Sequence, residues 1–210
     1  MTGHVITVAQ QKGGSGKTTV SANLAIGASM AGKTVAVIDS DPQGSLGRWF
    51  MTRVERADPP ELTFATASAW GIAYECDKLK AEHDLVIVDT PPKIDADLRP
   101  AFRASDLIIM PVSASQLDLW ATDGVLDLAA RESRDVLAVL NRARSGTRLT
   151  KEITDAMAEL PCDVAQNILA NRVLYAESLG HGKSVCEMQK SGPAAKEVHA
   201  FTSEVFGRLS

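Results

Sequence analysis

The residues Gln11-Lys12-Gly13-Gly14-Ser15-Gly16-Lys17-Thr18-Thr19 follow directly on the apolar run Val5-Ile6-Thr7-Val8-Ala9, and this junction constrains the fold more than any other stretch. A strand that ends in a glycine-rich loop and opens a helix aims unpaired backbone N–H groups and the positive end of the helix dipole at one point. That point is an anion site. Glycines at 13, 14 and 16 let the backbone close around phosphate oxygens with no Cβ in the way. Lys17 is then placed to reach β- and γ-phosphates, and the Thr18 hydroxyl suits Mg2+. Where an ordinary loop of this kind begins with glycine, this chain has Gln11 or Lys12. A second lysine therefore stands ahead of Lys17.

Beyond the loop, Val20, Leu24, Ala25, Ala28 and Ala31 recur at helical spacing and Gly32 supplies a stop, which predicts a helix over 17–31. Thr34–Ile38, Leu62–Ala65, Leu85–Val88, Leu107–Val112 and Val136–Leu140 are apolar, mostly β-branched runs of the kind buried on both faces of a parallel sheet. The segments between them are long enough for crossover helices. The expectation is an α/β fold, a doubly wound and mostly parallel sheet flanked by helices, with functional residues at the carboxyl ends of the strands. Two such ends are acidic: Asp39-Ser40-Asp41-Pro42-Gln43-Gly44 and Asp89-Thr90-Pro91-Pro92. An acid beside a phosphate loop can hold a Mg2+ water, and Asp89 is the candidate; capping of the next turn is the alternative use of that residue.

A chain of 210 residues with 45% hydrophobic content fits one domain over 1–210. Cys76, Cys162 and Cys186 are odd in number and never spaced Cys-x-x-Cys, so buried free thiols are expected rather than a disulfide framework or a metal site. No run has the makings of a secretion signal or a bilayer span, and a cytoplasmic protein is expected. The net charge of −4 argues against attraction of the whole surface to DNA or anionic lipid, and leaves a local basic patch open. Arg142, Arg144, Arg148 and Lys151 form a run without an intervening acid; Arg172, Lys183 and Lys190 are further candidates, each equally suited to an ordinary solvated surface. Asp58-Pro59-Pro60 reads as an exposed loop.

The sequence Lys12-Gly13-Gly14-Ser15-Gly16-Lys17-Thr18 resembles the deviant Walker A motif of the ParA/MinD family of ATPases. The Asp39-Ser40-Asp41-Pro42-Gln43 switch, the Asp89-Thr90-Pro91-Pro92 strand end and Leu140-Asn141-Arg142 extend the resemblance over most of the chain. It implies a P-loop NTPase-like fold with ATP and Mg2+ as ligands. Lys12 would cross a nucleotide-sandwich homodimer to the partner's ATP. Asp41 would orient the attacking water, Asp39 would lie near Mg2+ and Thr18, and Asp89 would be the Walker B acid. Asn141 would read the adenine edge, although an amide there equally suits a strand-to-loop turn. Asp95 and Asp97 would contact the partner subunit or be solvated.

Within that family, the chain lacks the paired cysteines of nitrogenase-type iron proteins and the terminal tyrosine cluster of the bacterial tyrosine kinases. Dethiobiotin-synthetase-like ligases are the enzyme alternative, and generally lack the first lysine. The stripe Val198, Phe201, Val205 and Leu209 could serve a MinD-like membrane helix, but its polar face is mixed rather than basic, so docking on the core is the expectation and membrane attachment is not. The phosphate loop starts too early for a preceding helix-turn-helix region. The resemblance therefore implies a small ParA-type partition or positioning ATPase, nucleoid-associated through non-specific DNA binding and stimulated by a cargo-bound ParB-like or adaptor protein.

Overall fold

The computed structural model describes residues 3–55, 62–93 and 98–209; Asp58-Pro59-Pro60, Asp95 and Asp97 lie outside the described residues. Among the described residues, eight strands form one sheet in the order β3 (Thr63–Thr66), β2 (Val35–Asp39), β4 (Leu85–Asp89), β1 (His4–Val8), β5 (Leu107–Ser113), β6 (Val136–Ala143) and β7 (Asp163–Val164), with β8 (Leu169–Ala170) also pairing with β6. Every recorded pair is parallel. The doubly wound α/β expectation holds. Its five later runs and the first apolar run each became a strand, with ends shifted by one residue except in β6, which runs three residues further. Strands β7 and β8 went unforeseen because two residues carry no periodicity.

Strand residues alternate between two cores, as a sheet covered on both faces requires. Ile6, Val8, Leu85, Ile87, Leu107 and Ile109 pack in the cluster that holds α1 (Lys17–Met30) and α10 (Pro193–Arg208). Val86 and Val88 face a cluster with Ile72, Cys76 and Leu79 of α3 (Gly71–Lys80), while Ile108, Met110 and Val112 face one with Val125 and Leu128 of α6 (Asp123–Arg131). Helix α1 is buried on nearly every side over Val20–Ala28 because it lies between the sheet and α10, whereas Ala31 is exposed. Its Gly27 lets the two helices approach so closely that an added Cβ would stand 2.5 Å from Thr202 Oγ1. Val198, Phe201 and Val205 are buried, so the terminal helix is docked on the core as expected.

The first strand lies between β4 and β5, with β2, β3 and β4 on one side of it and β5, β6 and β7 on the other. A crevice opens at such a switch point, outside the carboxyl ends of the strands. The glycine loop, Asp39, Asp89 and Asn141 all stand at that end.

Candidate phosphate-binding site

Gly16 caps α1 with φ +93, a backbone conformation that glycine alone adopts freely. A Cβ there would also stand 2.2 Å from Asn141 Nδ2. That amide donates to the buried Ser15 carbonyl at 2.8 Å, and Asn141 Oδ1 accepts from the Arg142 N–H at 2.9 Å. The amide expected either at an adenine edge or in a turn thus holds the glycine loop against the end of β6. It still borders a cleft of about 250 Å³ together with Thr19, Arg142, Arg172 and Tyr175, next to the loop.

Lys17 is buried at 7% exposure beneath the loop, and its ammonium donates to the carbonyls of Gln10 at 3.1 Å and Lys12 at 3.4 Å. Burial pulls its pKa down, against the charges of Asp89 and Asp41, which raise it. A cation held this way is poised to exchange weak carbonyl contacts for an anion. Gly13, Gly14, Gly16, Lys17, Thr18 and Thr19 all line one cleft of about 530 Å³, and so does Asp41; Ser15 is buried behind them.

Thr18 Oγ1 donates to Asp89 Oδ2 at 2.7 Å and Ser21 Oγ donates to Asp89 Oδ1 at 3.0 Å. Burial pushes the Asp89 pKa up to about 7; the Thr18 hydrogen bond opposes this and the nearby Asp39 charge adds to it. A hydroxyl and a buried carboxylate at the mouth of a phosphate loop form an oxygen donor set that suits Mg2+. Ser21 was missed in the sequence. Its signal was weak, since it lies one helical turn beyond Thr18 on the same face of α1.

Asp39 ends β2 directly beside Asp89 of β4. Its Oδ1 accepts from the Asp41 N–H at 3.1 Å and its Oδ2 from the Gly47 N–H at 2.7 Å. The carboxylate also shapes the loop leading into α2 (Ser45–Val54) and borders a second cleft, with Phe64 and Met51. The physical reason is local, because the turn after β2 leaves backbone N–H groups that the nearest acid satisfies. Asp41 is half-buried, faces the main cleft, and accepts from the Gln43 N–H at 2.9 Å.

The two lysines of the loop have different surroundings. Lys12 does not line the main cleft but forms an ion pair with Asp118 of α5 (Gln116–Trp120), which is 3% exposed. Ser115 Oγ also donates to that carboxylate, at 2.5 Å. Burial alone would raise the Asp118 pKa, but the hydrogen bonds from Lys12 and Ser115 outweigh it and hold the pKa below the usual carboxylate range. Ser115-Gln116-Leu117-Asp118 is a legible helix-start pattern, while its pairing with Lys12, more than a hundred residues away, is not.

The basic residues are spread over separate segments. Arg144 and Arg148 follow β6, and Lys151 lies on α7 (Arg148–Met157); all are exposed. Arg148 is paired with Glu152 at 2.6 Å and Arg172 with Glu197 at 2.6 Å. Lys183 precedes α9 (Val185–Met188) and its carbonyl accepts from Trp49 Nε1, while Lys190 is exposed beyond that helix. Among the described residues, no helix is long and apolar enough to cross a membrane.

Residues 6–185 match the family model described as the CobQ/CobB/MinD/ParA nucleotide binding domain. The chain is 30% identical to the maintenance of carboxysome distribution protein A of Halothiobacillus neapolitanus, over 95% of each chain. It is 28% identical to the chromosome-partitioning ATPase Soj of Thermus thermophilus, over 97% of this chain and 96% of that one. Among solved structures, the fold matches apo McdA of Cyanothece with a TM-score of 0.81 at 17% identity, over 97% of this chain and 99% of that one. It matches the cell division protein MinD of Aquifex aeolicus with a TM-score of 0.81 at 18% identity, over 97% of each.

Proposed function

Because the chain belongs to the CobQ/CobB/MinD/ParA nucleotide-binding family, we propose that it is an ATP-driven dimerisation switch that partitions or positions a cargo inside the cell. The observation that carries the reading is the separation of its two loop lysines. Lys17 sits beneath the loop, where it serves the phosphates of its own subunit, and Lys12 stands outside the cleft on Asp118. A phosphate cradle within one chain needs one ammonium. The second is free to serve another chain once it leaves Asp118.

In this reading the glycine loop and Lys17 bind the ATP phosphates, and Thr18 with Asp89 holds Mg2+, which neutralises phosphate charge when bound. Asp41, which lines the same cleft, orients the attacking water. Two ATP-loaded subunits meet face to face, and each Lys12 reaches the partner's phosphates. The dimer then binds nucleoid DNA without reading bases, through residues such as Arg144 and Lys151, until an adaptor on the cargo stimulates hydrolysis. The names of the relatives in carboxysome distribution and chromosome partitioning support a positioning role over a metabolic one. The MinD-like membrane reading loses support because the apolar stripe of α10 is buried in the core.

Light scattering on the protein with ATP, with ADP and without nucleotide tests the proposal. A mass that doubles with ATP alone is expected. A mass indifferent to ATP would favour the dethiobiotin-synthetase-like ligase.

A further inference from the structure

Arg142 stands where two clefts meet. It borders the phosphate-loop cleft together with Gly16, Thr19 and Asp41, and it borders the smaller cleft together with Asn141 and Arg172. Its backbone has φ +53, a left-handed conformation that residues with a Cβ adopt rarely and that collects at functional sites. The turn is fixed from both sides: the Arg142 N–H donates to Asn141 Oδ1, and the same amide grips the Ser15 carbonyl inside the glycine loop. The direction of the arginine is thereby tied to the phosphate loop. Of the charged groups around it, Arg172 is engaged by Glu197 and Lys17 by loop carbonyls. The remaining acid on the wall of the larger cleft is Asp41.

We propose that Arg142 binds the nucleotide, its guanidinium contacting the phosphate nearest the sugar, at the junction of the phosphate cleft and the cleft beside Asn141. This rests on reading the site as ATP-binding, and it removes Arg142 from the DNA-contacting set. A planar guanidinium offers a phosphate two parallel donors, a geometry that an ammonium lacks. The contact is made to a phosphate that ADP and ATP share, so both nucleotides depend on it equally.

The test is ADP and ATP affinity of the full chain without DNA, followed by DNA binding at saturating ATP. Arg142→Gly suits the left-handed turn and so avoids a folding defect, Arg142→Lys keeps the charge without the fork, and Arg131→Ala, at an exposed position on α6, is the control. Arg142→Gly is expected to weaken ADP and ATP by the same factor, roughly tenfold or more. Arg142→Lys should recover part of that loss, Arg131→Ala should bind nucleotide normally, and DNA binding at saturating ATP should survive Arg142→Gly. Unchanged nucleotide affinity in Arg142→Gly overturns the assignment, and if DNA binding is then lost the residue returns to the DNA set. Loss for ATP alone also overturns it, by moving the contact to the terminal phosphate. A wild-type chain that binds neither nucleotide would instead sink the reading on which the assignment rests.

Discussion

Gly16→Ala should damage the protein in two separable ways. The first is backbone strain, because alanine at φ +93 costs about 1–2 kcal/mol relative to glycine. The second is steric, because the new Cβ would stand 2.2 Å from Asn141 Nδ2 and expel the amide from the Ser15 carbonyl. Leaving that buried carbonyl unpaired costs about 1–3 kcal/mol. Together they amount to roughly 2–5 kcal/mol, a fall in Tm of roughly 5–15 °C for a chain of this size. In an Asn141→Ala background the amide is already gone, so Gly16→Ala should cost only the backbone part, about 1–2 kcal/mol. Gly14→Ala is the control: it has φ +78 but no atom within 4 Å of its added Cβ, so its cost should be the same in both backgrounds. Denaturant unfolding of the four combinations at position 16 and 141, with the Gly14 pair alongside, measures all of this. If Gly16→Ala costs the same with and without Asn141, to within about 0.5 kcal/mol, the buttress account is wrong.

Arg53 lies buried on α2 in a bidentate pair with Glu187 and donates to the Gly182 carbonyl, so Arg53→Met should cost roughly 3 kcal/mol or more by denaturant unfolding; a loss under about 1 kcal/mol would show that the pair contributes little. Burial pushes the Cys76 thiol up to about 12 and those of Cys162 and Cys186 up to about 11, so at pH 8 each carries less thiolate than an exposed cysteine. Iodoacetamide should therefore label the native chain slowly, with half-buried Cys162 first, and labelling at the denatured rate would contradict the burial. Charge reversal at Arg144 and Lys151 together should abolish ATP-dependent binding to arbitrary duplex DNA, while reversal at Arg148 or Arg172, already paired with Glu152 and Glu197, should do less. Mobility shifts across salt and sequence test this, and binding that ignores salt or prefers one sequence would refute it.

The sheet was legible because its strands are buried on both faces and read as unbroken apolar runs. Leu85–Asp89 and Leu107–Ser113 needed only their composition to be found. The phosphate loop was equally legible, since glycines, lysine and threonine must follow one another in chain order to wrap an anion. What could not be read was the partnership of residues remote in sequence. Asn141 meets Ser15, and Lys12 meets Asp118, only because parallel crossovers bring the ends of β5 and β6 to the same side of the sheet as the end of β1. Asp39 illustrates a different limit. The resemblance implies a place near Mg2+, and no pattern in the sequence shows that its oxygens also accept from the N–H groups of Asp41 and of Gly47 in the first turn of α2.

If Lys12 acts on the other subunit, Lys12→Gln should remove that action while sparing the fold, because glutamine can still donate a hydrogen bond to buried Asp118. ATP affinity and ATP-dependent mass are measured on the same preparation. Near-normal ATP affinity, supplied by Lys17 and the glycine loop, is expected together with a mass that stays monomeric at saturating ATP. A Lys12→Gln chain that doubles its mass with ATP as the wild type does would contradict it.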